Sequence, residues 1–116
     1  MSKARQILEA TLREPLMEMA VLKPERTGLP FELFVSERVY ATTQHHRPRV
    51  KVSDRQGRVD ASVAIDDPIA ILAGTPITGR DWHTLVGYIQ LNQNLLLALW
   101  NEEIDQVTYV QNQQKV

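Results

Sequence analysis

A chain of 116 residues that is 43% apolar and 23% charged holds material for one folded domain, which excludes disordered, collagen-like and coiled-coil classes, and its net charge of −1 is not that of a basic nucleic-acid-binding domain. With no cysteine it has no disulfide, thiolate metal site, iron–sulfur cluster or cysteine nucleophile, so three histidines and the carboxylates are the main acid/base and ligand stock. No run of about eighteen uncharged apolar residues occurs, and MSKARQILEATLREP lacks the apolar core of a secretory signal, so the expectation is a cytoplasmic protein without a membrane span.

Ser2 is placed to cap a helix over residues 3–13, where Ala4, Ile7, Leu8 and Leu12 recur at helical spacing, and Pro15 interrupts it. LMEMAVL, residues 16–22, is apolar enough for a helix or a buried strand; seven residues do not settle the period, and the helical reading is preferred. KPERTGLP reads as a loop. The period then changes to two. Phe31, Leu33, Val35 and Val39 alternate with Glu32, Ser36 and Arg38, and the same pattern returns over 48–55 (Val50, Val52) and 58–65 (Val59, Ala61, Val63, Ile65), predicting three strands. A two-residue loop at Gln56-Gly57 pairs Val52 with Ala61 and Val50 with Val63, whereas a three-residue loop sets Val52 against Asp60, so the shorter hairpin is preferred. Its polar face then carries Arg49, Lys51, Ser53, Asp60 and Ser62.

IAILAGTP reads as a crossing segment, and Thr78 with Asp81 forms a capping-box pattern before a helix over 79–103. His83, Gly87, Gln90, Asn94 and Asn101 make one narrow polar stripe, with Asn92 and Gln93 as exceptions in an otherwise apolar circumference. A three-stranded sheet covers one face of such a helix. The surplus predicts cover from the N-terminal helix or from a partner subunit, with Trp82, Tyr88, Leu91, Leu95 and Leu99 as interface residues of a homo-oligomer. QVTYVQ allows a short final strand, and the polar end reads as frayed. The expected architecture is α+β: one domain over 1–116, with an N-terminal helical segment and loop at 1–28, a sheet-plus-helix core at 29–103 and a tail at 104–116.

Charge is segregated along the chain. Residues 37–58 hold six basic residues against Glu37 and Asp54, while residues 59–105 hold seven acidic residues against Arg80. Arg47, Arg49, Lys51 and Arg55 are therefore candidates for an anionic partner, a protein or nucleic acid; alternatively they form a strand's solvent face neutralised by Asp60, Asp66 and Asp67. His45 and His46 are candidate acid/base residues, with Arg47 or Arg49 stabilising a phosphoryl charge as in a small metal-free ribonuclease. Neighbours on an extended chain point to opposite faces, so the two imidazoles do not easily share a metal, and a site would need Asp66, Asp67 or another subunit to complete it; neither a metal nor a cofactor is expected. No phosphate-binding glycine loop, G-x-S-x-G or H-E-x-x-H occurs, which favours a non-catalytic reading.

FELFVSERVYATTQHHRPRVKVS, IDDP, Gly74 and NQNLLLALWNE together resemble an uncharacterised prokaryotic family, domain of unknown function 4160. His46 and Pro48 match its strand motif, and Gly74, Leu96 and Trp100 its later landmarks, over residues 29–103; Arg49 stands where the family usually has a second histidine. The resemblance implies a small cytoplasmic accessory protein in a toxin–antitoxin-like setting and implies no reaction. The sequence thus yields three readings: a self-associating, non-catalytic interaction module with a basic strand face, a small ribonuclease, or a purely structural dimerising subunit.

Overall fold

In the computed structural model, which describes residues 19–38 and 47–116, the alternating segments lie side by side in an antiparallel sheet. Its strands are β1 (Ala20–Leu22), β2 (Glu32–Val35), β3 (Arg49–Ser53), β4 (Asp60–Ala64) and β5 (Ile71–Gly74), ordered β1-β2-β3-β4-β5. Three helices complete the described fold: α1 (Pro24–Thr27), α2 (Gly79–Trp100) and α3 (Gln106–Asn112). The α+β class and the long helix are as expected, but the sheet has five strands where three were expected.

The register of the central hairpin is the one its apolar residues demand, with Val50 opposite Val63 and Val52 opposite Ala61. One inner row crosses all five strands, Leu22, Leu33, Val52, Ala61 and Gly74, and the first four are buried while Gly74, at the edge, is exposed. Gly74 ends the row at φ 95°, where a Cβ would run into the Asp60 carbonyl and the Ala61 Cα, so the site admits glycine alone without a backbone shift. Leu85, Tyr88, Ile89, Leu96, Leu99 and Trp100 of α2 join these strand residues in a single core. The next row, Val21, Phe34, Lys51, Ser62 and Ala73, faces outward.

The two added strands arise where periodicity had least to work with. The end of LMEMAVL is β1, not helix, because only three residues pair with β2 and Leu22 is drawn into the core. In β5, expected as a crossing segment, an irregularity between Ser62 and Val63 breaks the register, so its alternation is hidden. The expected final strand is instead α3, whose N-cap Asp105 accepts a 2.7 Å hydrogen bond from the Thr108 N–H. Thr78 stands at the N-cap of α2, but its side chain makes no capping bond. That helix ends three residues earlier than expected, at Trp100, in a Schellman turn: Glu103 N–H reaches the Ala98 carbonyl, Glu102 N–H the Leu99 carbonyl, and Glu102 adopts φ 64°.

The polar end is docked, not frayed. Asn92, buried on α2, donates to the Gln114 carbonyl at 2.9 Å and accepts from its N–H at 2.7 Å. Val116 N–H bonds the Thr27 carbonyl. These contacts and α3 cover part of the apolar surface of α2; Leu91 is the large apolar side chain of that helix that is exposed among the described residues.

Candidate interaction surface

The basic residues of the central segment lie on and around β3, but the structure treats each differently. Arg47 precedes the strand and faces the turn after β4. Its Nε and Nη2 donate to Asp66 Oδ1 at 3.0 and 2.8 Å, and Nη2 also reaches the carbonyls of Asp66 and Pro68 at 3.0 and 2.7 Å. That is a guanidinium spent on holding a loop. Pro48 opens β3 where no donor is needed, and its carbonyl accepts from Ile65 N–H.

Arg49 sits opposite Ala64 on the outer side of the sheet. Its Nε donates to the Arg47 carbonyl at 3.3 Å, while Nη2 is screened from solvent and has no hydrogen-bond partner among the described residues. Desolvation draws the guanidinium below its ordinary pKa. Lys51, in the middle of the outer row, is exposed and lies 3.5 Å from Asp60 on β4. Arg55 is exposed in the turn, whereas Arg58 is paired with Asp54 at 3.2 Å. The Asp54 carboxylate also accepts the backbone N–H groups of Arg58 and Val59, at 2.7 and 3.2 Å. Partial desolvation pushes Asp54 up, yet these donors and the Arg58 charge outweigh it and hold the carboxyl below its ordinary range.

The outer face is therefore mixed. Glu32, Ser53 and Asp60 form one row, and Val21, Phe34, Lys51, Ser62 and Ala73 the next, with Val21 46% exposed and Phe34 half-buried beside it. Charge segregation along the chain is undone in space, because Arg47–Asp66 and Lys51–Asp60 join the basic segment to the acidic one.

His45 and His46 fall outside the described residues. His83 is exposed on α2, and no group of three potential metal ligands occurs among the described residues. Of the expected interface residues, Tyr88 and Leu99 are fully buried within the chain, Trp82 and Leu95 are half-buried, and Leu91 is exposed. No described helix is long and apolar enough to cross a membrane.

Sequence reasoning missed a buried polar chain. Tyr109 Oη lies 2.8 Å from Tyr88 Oη, and Tyr88 donates to Gln113 Oε1 at 2.7 Å, which leaves Tyr109 as the donor to Tyr88. Gln113 Nε2 continues to the Arg26 carbonyl at 2.9 Å. Burial pushes the Tyr88 phenol up to about 12, the bond from Tyr109 working the other way, and burial together with Tyr88 pushes Tyr109 higher still. The signal available in the sequence was the i, i+4 pair Tyr109 and Gln113, which reads as polar unless a helix is already placed there.

No family model, curated protein or solved structure matches the chain.

Proposed function

We propose that this protein is a non-catalytic interaction module that meets an anionic partner on the outer face of its sheet. Arg49, Lys51 and Arg55 supply the charge, and Val21 and Phe34 the apolar contact. The observation that carries the reading is the outer row itself, where an exposed cation stands in line with exposed or half-buried apolar side chains on a β-sheet. Such a row suits a protein surface, whose contacts combine a desolvated centre with a charged rim. Nucleic acid is the less favoured partner: with Arg47 and Arg58 paired to carboxylates, the three cations that remain on this face are few to displace counterions. An acidic protein partner accords with the accessory, toxin–antitoxin-like setting that the resemblance implies. Self-association remains part of the proposal only through this face, not through the buried residues of α2.

The test is fluorescence anisotropy with an acidic peptide of about 20 residues and an RNA of about 20 nucleotides, each at about 50 and 200 mM salt. The peptide is expected to bind more tightly than the RNA, and Lys51→Glu combined with Arg55→Glu is expected to weaken it roughly tenfold or more. Tighter RNA binding, or charge reversal without effect, overturns the reading.

A further inference from the structure

The sheet ends in two edge strands that differ in their surroundings. β1 lies beside α3. β5 closes the other side: β4 pairs with its inner edge, and no described strand pairs with its outer one. Thr75 N–H bonds the Asp60 carbonyl at 2.9 Å, so by the alternation of an antiparallel ladder the N–H and C=O of the preceding Gly74 point away from β4. Ala73 and Gly74 are exposed, and Leu72 is half-buried without joining the core. The irregularity between Ser62 and Val63 leaves Ala73 and Gly74 in regular register. Native sheets blunt such an edge with charged side chains, and here no residue from Pro68 to Gly79 is charged.

We infer that the outer edge of β5 pairs antiparallel with β5 of a second copy of this chain, joining two sheets across a two-fold axis. The strand suits its own copy, because Ile71–Gly74 laid against itself sets no charge opposite another. Charges on either side of the strand then select the antiparallel neighbour. Asp67, before the strand, is exposed and meets the Gln93 amide at 3.4 Å. Arg80, after it, is exposed and makes no ion pair among the described residues. Antiparallel pairing lays the start of one strand along the end of the other, which brings Asp67 of each copy towards Arg80 of its partner, twice by symmetry. Asp81, the neighbour of Arg80, lies about 100° further round α2. The outer face of both copies stays open, so pairing at the edge adds to whatever contact that face makes.

Edge pairing buries little surface and associates weakly, so sedimentation equilibrium of the full chain over about 10 to 1,000 μM is expected to show a monomer–dimer equilibrium. Ala73→Lys, which puts a charge on the exposed edge, is expected to weaken it roughly tenfold or more, and Arg80→Asp several-fold. Asp67→Arg combined with Arg80→Asp is expected to restore it, and Leu91→Lys, on the exposed side of α2, to leave it unchanged, with thermal melts reporting the folding of each variant. In the unsubstituted chain, exchange of the Gly74 amide is expected to slow as concentration rises. A monomer throughout the range, a dimer indifferent to Ala73→Lys, an equal loss with Leu91→Lys, no recovery in the charge swap, or Gly74 exchange independent of concentration overturns the inference.

Discussion

The hydrogen-bond chain from Tyr109 through Tyr88 and Gln113 to the Arg26 carbonyl shows how much a few polar atoms hold when they are buried. Removing the Tyr88 hydroxyl leaves both Tyr109 Oη and Gln113 Oε1 without their partner, whereas removing the Tyr109 hydroxyl costs Tyr88 one donor. Tyr88→Phe is therefore expected to destabilise by about 2 kcal/mol and Tyr109→Phe by about 1 kcal/mol in denaturant titrations. The pH dependence follows from the same pair. An unfolded tyrosine loses its proton near its ordinary value of 10, but folded Tyr88 holds it to about 12, so the unfolded state binds fewer protons in between. Stability should fall as pH rises from 10 to 12, and the fall should be shallower in a Tyr88→Phe, Tyr109→Phe double variant. Asn92 is the other residue of this kind. On a helical wheel it is an anomaly in an apolar surface, because nothing in sequence spacing links it to Gln114; in space its amide matches that residue's peptide donor for acceptor. Asn92→Ala should cost about 2 kcal/mol, read by the same titration.

At the scale of elements, legibility tracked length and regularity. Strands β3 and β4 and their register could be read because each holds alternating residues over its five positions and a misregister would bury Asp60. Strand β1 has three residues and β5 an irregular ladder, so neither left a usable period. The end of α2 was overrun because Glu102, not glycine, takes the left-handed position of its closing turn. Glu102→Gly is expected to raise stability by about 1 kcal/mol, since glycine adopts that conformation without the Cβ penalty. Asp105 caps α3, and the Thr108 bonds hold its carboxyl below the ordinary value. That contribution is present above the ordinary carboxylate range and is lost as pH falls through the folded value, so acid should release α3 first. Asp105→Ala should lower stability at neutral pH and flatten the acid dependence, which circular dichroism melts at pH 7 and pH 3 would check.

For the whole molecule, the decisive lesson concerns charge. Read along the chain, residues 37–58 are basic and residues 59–105 acidic; folded, Arg47 faces Asp66 and Lys51 faces Asp60, because an antiparallel hairpin lays the end of one segment on the start of the next. Sequence gave the polar face of the hairpin residue by residue, but not which cations on it are already engaged, since pairing depends on turn and register together. Nor did it show that α3 and the docked tail would pack on α2. The surface proposed for a partner is the outer sheet face. Amide chemical-shift mapping during titration with an acidic peptide tests this most directly. Perturbations centred on Phe34, Arg49, Lys51 and Arg55, extending to Val21 and Ser62, are the predicted result; shifts centred on α2 or α3, or none at all, would contradict it.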